Sequence, residues 1–112
     1  MTFPRPLTPT LADAIAERFR LFAEPTRLRL LDLLSDGERS VGDLTAALGC
    51  TQANVSKHLA LLADAGVVRR RREGLYSYYA VADAAVFDLC GQVCATLRRY
   101  ADERAASLRD PV

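Results

Sequence analysis

Several protein classes are excluded by what this chain lacks. No apolar run approaches the roughly 18 residues needed to cross a bilayer. The N-terminus carries no charged stretch followed by an apolar one, as a secretory leader would. These two absences set the expectation of a cytoplasmic protein with no membrane partner. Cysteine is scarce: Cys50, Cys90 and Cys94 are an odd number and form no CxxC pair. A disulfide framework is therefore not expected, and reduced thiols are the default. Histidine is scarcer, with His58 alone. No glycine-rich phosphate loop, metal-ligand cluster or carboxylate pair suited to a cleft stands out. Cysteine and histidine together can support nucleophilic catalysis, but His58 and the Cys90/Cys94 pair fall on different predicted helices. Neither an enzymatic role nor a required cofactor is expected.

What is present is one domain's worth of chain, with half its residues apolar and about a quarter charged. Residues 1–7, with Pro4 and Pro6, read as a loose arm. Thr8-Pro9 offers an N-cap followed by proline at the first helical position. Leu11, Ile15, Phe19 and Phe22 follow at helical spacing, predicting a first helix to about Ala23. Pro25 opens a second helix, with Leu28, Leu31 and Leu34 on one face and Leu30 and Leu33 widening it, ended by Asp36-Gly37.

Ser40 and Asp43 have capping-box spacing, with Asp in place of the usual Glu, and start a short helix that Gly49 stops. Thr51 can cap the next helix, which turns Val55, Leu59 and Leu62 inward and ends at Gly66. Two short helices joined by a tight glycine-containing turn are a helix-turn-helix signature, here over residues 40–66. Residues 67–81, with an arginine run, Glu73-Gly74 and three tyrosines, read as two strands and a turn. Asp83 caps a long last helix over residues 84–108, with the stripe Val86, Cys90, Val93, Leu97 and Tyr100. That spacing suits helix–helix packing. Because the rest of the chain leaves it little core to cover, a dimer element is expected. The fold class is mainly α with a small β-hairpin wing: a winged helix-turn-helix.

The charge distribution points to a partner, although the net charge is only +1. Between Thr51 and Ala82, Lys57 and Arg69 to Arg72 face only Asp64 and Glu73. Phosphate binding needs such a local basic surface. With Val55, Leu59 and Leu62 inward, the opposite face near the helix start presents Gln52, Ala53, Ser56 and Lys57. Gln can pair bidentately with adenine, and Lys suits guanine or a phosphate. Thr51 is a cap and a potential phosphate contact. The arginines alternate in direction along a strand, so they cannot all meet one partner. Arg70, Arg71 and Arg72 are the candidates for DNA, while others pair with acids. His58 either reaches a phosphate or packs beside the core. Tyr76, Tyr78 and Tyr79 are read as wing packing, because duplex DNA offers no exposed base faces.

Three stretches carry a family resemblance: "LFAEPTRLRLLDLL", "QANVSKHLALLADAGVVRRRREG" and the "YY" of the last strand. From about Leu21 to Val81 the chain resembles the ArsR/SmtB family of metal- and thiol-sensing repressors. The resemblance implies a symmetric dimer formed by the first and last helices, with recognition helices in successive major grooves. A two-fold dimer calls for double-stranded operator DNA with an inverted repeat. Repression rather than activation is implied by the resemblance alone.

Two ligand sites known in that family are missing: Val41-Gly42-Asp43 stands where a Cys-x-Cys-like pair would be, and no histidine follows His58. No cysteine lies on the second helix, where the family's persulfide sensors carry one. Cys90 and Cys94, four apart, share a helix face. Two thiolates there could clamp a soft ion such as As(III), Cd(II) or Hg(II), with Cys50 as a third ligand. The alternatives are oxidation or persulfidation of the pair, or thiols that only pack as small hydrophobes in a regulator without an inducer.

Overall fold

The computed structural model describes residues 3–109. Two residues of the expected arm lie outside that range, and Phe3 to Leu7 form no regular structure. The chain divides after Ala82 into two units.

The first unit holds α1 (Pro9–Phe22), α2 (Pro25–Leu34), β1 (Arg39–Ser40), α3 (Val41–Leu48), α4 (Gln52–Asp64), β2 (Val68–Glu73) and β3 (Tyr76–Val81). Each helix starts where a side chain satisfies an orphan N–H. Thr8 accepts from the Leu11 N–H, Glu24 from Arg27, Ser40 from Asp43 and Thr51 from Asn54. Ser40 and Thr51 therefore act as the spacing predicts. Between α3 and α4 only Gly49, Cys50 and Thr51 remain, and Gly49 makes the turn by adopting φ +67°.

Leu30, Leu44, Val55, Leu59 and Leu62 are fully buried and draw α2, α3 and α4 onto one core. Burying side chains of this size stabilises by roughly 1.5–3 kcal/mol each. One expectation is corrected here. Leu28 is 40% exposed, and the buried line of α2 is Leu30, Leu31 and Leu34. Leu28 lies about 200° around the helix from Leu30, so one narrow core face cannot hold both. The apolar stripe of α1 buries no residue at all.

The wing has three strands rather than two, in the order β1-β3-β2, all antiparallel. β1 is only Arg39 and Ser40, opposite Tyr79 and Tyr78, and is too short to leave a period-2 signal. The β2–β3 turn is Gly74-Leu75, with glycine at φ +60° in the first position, as such hairpins need. Tyr79 is buried and Tyr78 half-buried, but Tyr76 is exposed near the turn and does not pack as expected.

The second unit is α5 (Ala85–Arg109). The Asp83 carboxylate accepts from the Ala85 N–H at 3.0 Å, the predicted cap. Along the predicted stripe Val93, Leu97 and Tyr100 are more than half exposed, and Leu108 extends the exposed row. No helix among the described residues is long and apolar enough to cross a membrane.

Candidate nucleic-acid interface

α4 separates its residues by chemistry. Val55, Leu59 and Leu62 point inward with no accessible surface, while Thr51, Gln52, Ala53 and Lys57 are exposed and Ser56 is half-buried. The exposed set clusters at the helix start because the inward residues, three or four apart, claim the opposite face. Thr51 is committed as the cap, its hydroxyl oxygen 3.1 Å from the Asn54 nitrogen.

His58 does not join this surface. It is 6% exposed, with Nδ1 3.1 Å from an Arg27 Nη and Nε2 3.8 Å from the Glu24 carboxylate. Arg27 always donates, so Nδ1 is the acceptor. Arg27 also donates to the backbone oxygens of Leu21 and Arg20 at the end of α1, at 2.6 and 3.3 Å. The network ties α1, α2 and the middle of α4 together, with His58 Nδ1 bonded to Arg27 and the ring largely buried. The packing alternative for His58 is the one the geometry supports. Burial pushes the Glu24 carboxyl up. N–H donation from Arg27 and Thr26 and the facing His58 and Arg27 outweigh it, holding the pKa below the usual 4.5.

The wing sorts its arginines by strand alternation. Arg70 and Arg72 share the face of Val68 and stand opposite Tyr79 and Ser77. Arg70 donates to the Ser77 hydroxyl from Nε and Nη2, at 3.3 and 3.0 Å. With Gln52, Ser56, Ser40 and Tyr79 it lines an open groove of about 480 Å³ between α4 and the wing. Among the described residues no carboxylate pairs with Arg70 or Arg72.

Arg71, expected to meet DNA, is engaged inside the protein. Its guanidinium donates to both Glu38 oxygens at 3.1 and 2.8 Å and to Glu73 at 2.7 Å, and lies 4.6 Å from the Tyr78 ring centroid. Hydrogen bonding to Arg71 holds the Glu38 carboxyl below its usual value against the opposing effect of burial. The same bonds to Glu38 and Glu73 push the Arg71 pKa further up. Sequence reading missed Glu38 as a partner, since 33 residues separate it from Arg71 and only the β1–β3 pairing brings them together. Of the two groove hydroxyls, Ser77 gave no signal of its own and Ser40 could be read only as the cap of α3.

The thiols are all free. Cys50 sits half-buried in the turn, its sulfur 3.8 Å from the Leu48 carbonyl oxygen; on α5, Cys90 is half-buried and Cys94 exposed. Among the described residues no three His, Cys, Asp or Glu side chains come together as a metal site.

Comparison with known proteins agrees with the fold. The profile described as "Bacterial regulatory protein, arsR family" matches residues 24–70, from the cap of α2 into β2. The chain is 38% identical over 96 residues to Rv0081 of Mycobacterium tuberculosis strain H37Rv, an HTH-type transcriptional regulator. The match covers 85% of this chain and 84% of that one. Against the Rv0081 crystal structure the TM-score is 0.79 at 34% identity, covering 88% and 99% of the two chains. The homodimeric winged helix-turn-helix DNA-binding domain of Mb0332 from Mycobacterium bovis gives 0.73 at 31% identity, with 92% and 95% covered. The antimony-specific transcriptional repressor AntR gives 0.77 at 29% identity, with 91% and 93% covered.

Proposed function

Since the chain belongs to the ArsR family of bacterial regulatory proteins, and is thus a transcriptional regulator, we propose that it is a homodimeric cytoplasmic repressor released from operator DNA by a thiophilic ion at Cys90 and Cys94. One observation carries the DNA part. The start of α4 offers Gln52, Ala53 and Lys57 to solvent beside a wing face where Arg70 and Arg72 have no carboxylate partner among the described residues. Polar groups on the helix read base edges, and the unpaired cations hold phosphates. Ser56 stands at the edge of that surface, and Thr51 adds a phosphate contact beside its capping role.

The dimer part is supported by apolar surface left uncovered on α1 and α5. Leu11 and Phe19 on one helix, and Val93, Leu97, Tyr100 and Leu108 on the other, are exposed. Apolar rows of this length mark an interaction surface. A two-fold partner places two α4 helices about one helical turn of DNA apart, hence an inverted-repeat operator.

The sensor part rests on the helical register of α5, which puts Cys90 and Cys94 on one face. Two thiolates favour As(III), Cd(II) or Hg(II), and Cys50 is the remaining thiol that a third bond would draw on. A crosslink among dimer helices shifts the population toward a spacing of the α4 helices that no longer matches the grooves. The exposure of Cys94 favours, as a second reading, oxidation or persulfidation of the same pair.

The test is fluorescence anisotropy of the reduced protein on labelled duplex from upstream of its own gene, titrated with As(III), Cd(II) and Hg(II). Binding is expected to fall at about stoichiometric ion and to persist in the Cys90→Ser/Cys94→Ser variant. Release of that variant at the same ion concentration rejects the thiol site. Wild-type binding that survives every ion but yields to peroxide or polysulfide moves the same pair to the redox reading.

A further inference from the structure

We infer that the wing's arginines divide by face into contact and clamp: Arg70 and Arg72 hold DNA phosphates, while Arg71 is a positioning residue that locks the wing through Glu38. The inference rests on the DNA-binding reading and assigns separate tasks within it.

Charge separates the two faces. On the face of Arg69 and Arg71, Arg71 alone pairs with both carboxylates, Glu38 and Glu73. Arg69 acts on Glu38 only at longer range, so two cations there stand against two anions. On the face of Arg70 and Arg72, no carboxylate among the described residues lies within ion-pair distance of either charge. A polyanion is drawn to the second face and gains little from the first. Breaking the Arg71 contacts to reach a phosphate would also leave both carboxylates unpaired against the DNA.

Geometry gives Arg71 its other task. β1 ends opposite Tyr78, so beyond that point the hairpin has no third strand. Arg71 pairs with Tyr78 across β2 and β3, at the last position the body supports. Its fork grips both oxygens of Glu38, which immediately precedes β1, and its plane lies over the Tyr78 ring. A planar, two-pronged donor is suited to fix direction, which a lysine cannot do. The bond to Glu38 ties the hairpin to the body. The contacts to Glu73 and Tyr78, both within the hairpin, fix the guanidinium that makes it. The hairpin is thus held where Arg70 borders the groove beside Gln52 and Ser56.

The test measures binding to the same upstream duplex across a salt series. Each phosphate contact removed should lower the slope of log affinity against log salt by about 0.9. Arg70→Ala and Arg72→Ala are each expected to show that loss. Arg71→Lys keeps the charge and is expected to keep the slope, while affinity falls about two- to fivefold, the scale of an exposed ion pair. Glu38→Gln is the sharper variant. It removes a negative charge, which by attraction alone would tighten binding to DNA; a positioning role predicts weaker binding at unchanged slope. Glu38 is exposed, so Glu38→Gln leaves no buried group unpaired and the variant is expected to fold. Tighter binding by Glu38→Gln, or an Arg71→Ala slope reduced as in Arg70→Ala with Arg71→Lys near wild type, overturns the division. A wild-type protein with no salt-dependent binding to duplex overturns the DNA reading itself and the division with it.

Discussion

Two helices of this protein carry the same kind of pattern and use it differently. α4 turns Val55, Leu59 and Leu62 inward until they lose all accessible surface, and its polar residues are left outside. α5 has an apolar row of comparable spacing in Val93, Leu97 and Tyr100, yet each of those side chains is more than half exposed. Periodicity therefore fixes which face is apolar and says nothing of what covers it. For α4 the cover is the chain's own α2, α3 and wing. For α5 the proposed cover is a second copy, and the contrast yields two different kinds of fragility.

The largest effect expected is on the α4 side. Leu59→Ala leaves a cavity in a fully buried site and should cost about 2–5 kcal/mol. Urea denaturation would show it as a lower midpoint at every protein concentration. A cost below about 1 kcal/mol would mean that α4 is not the centre of the core. The complementary change, Leu97→Asp with Tyr100→Asp, should leave the fold of residues 3–82 intact and abolish the dimer. Light scattering is expected to report monomer, with a thermal midpoint that no longer rises with protein concentration. A variant still dimeric would break the comparison, because the α5 row would then have some other use.

How much of this was legible in the sequence follows from the range of each signal. The caps Thr8, Ser40, Thr51 and Asp83 act within three residues of themselves, and all four could be read directly. The inward residues of α4 could be read for the same reason, since one helical period decides them. Leu28 misled because a leucine-rich helix has more apolar residues than one core face can hold, and only the neighbours decide which are left out. Glu38, Arg27 and the short strand β1 depend on partners 31 or more residues away, which no local pattern encodes. The same limit applies to the proposed DNA face. Alternation tells that neighbouring arginines diverge, but which of them meets an acid depends on where β1 docks.

A smaller effect tests how α4 is held from its buried side. His58 is the polar member of that face, and Glu24 stands 3.8 Å from it while capping α2. Because the Glu24 pKa is lower in the folded protein than its usual 4.5, the carboxylate's contribution is fully present above that value. It is lost as pH falls through the folded pKa, the unfolded chain then binding more protons than the folded one. Glu38 is depressed in the same direction by Arg71, so both carboxylates act in one acidic window. Wild-type urea midpoints are expected to drop between pH 5 and 3, within about a unit or two of the ordinary carboxylate range. Glu24→Gln should flatten part of that drop, and Glu24→Gln with Glu38→Gln more of it, while neither changes the protein much at pH 3. If the wild-type and double-variant curves run parallel, neither carboxylate links acid to stability. α4 would then be held by its apolar face alone, and the difference between α4 and α5 would reduce to which apolar row finds cover within the chain.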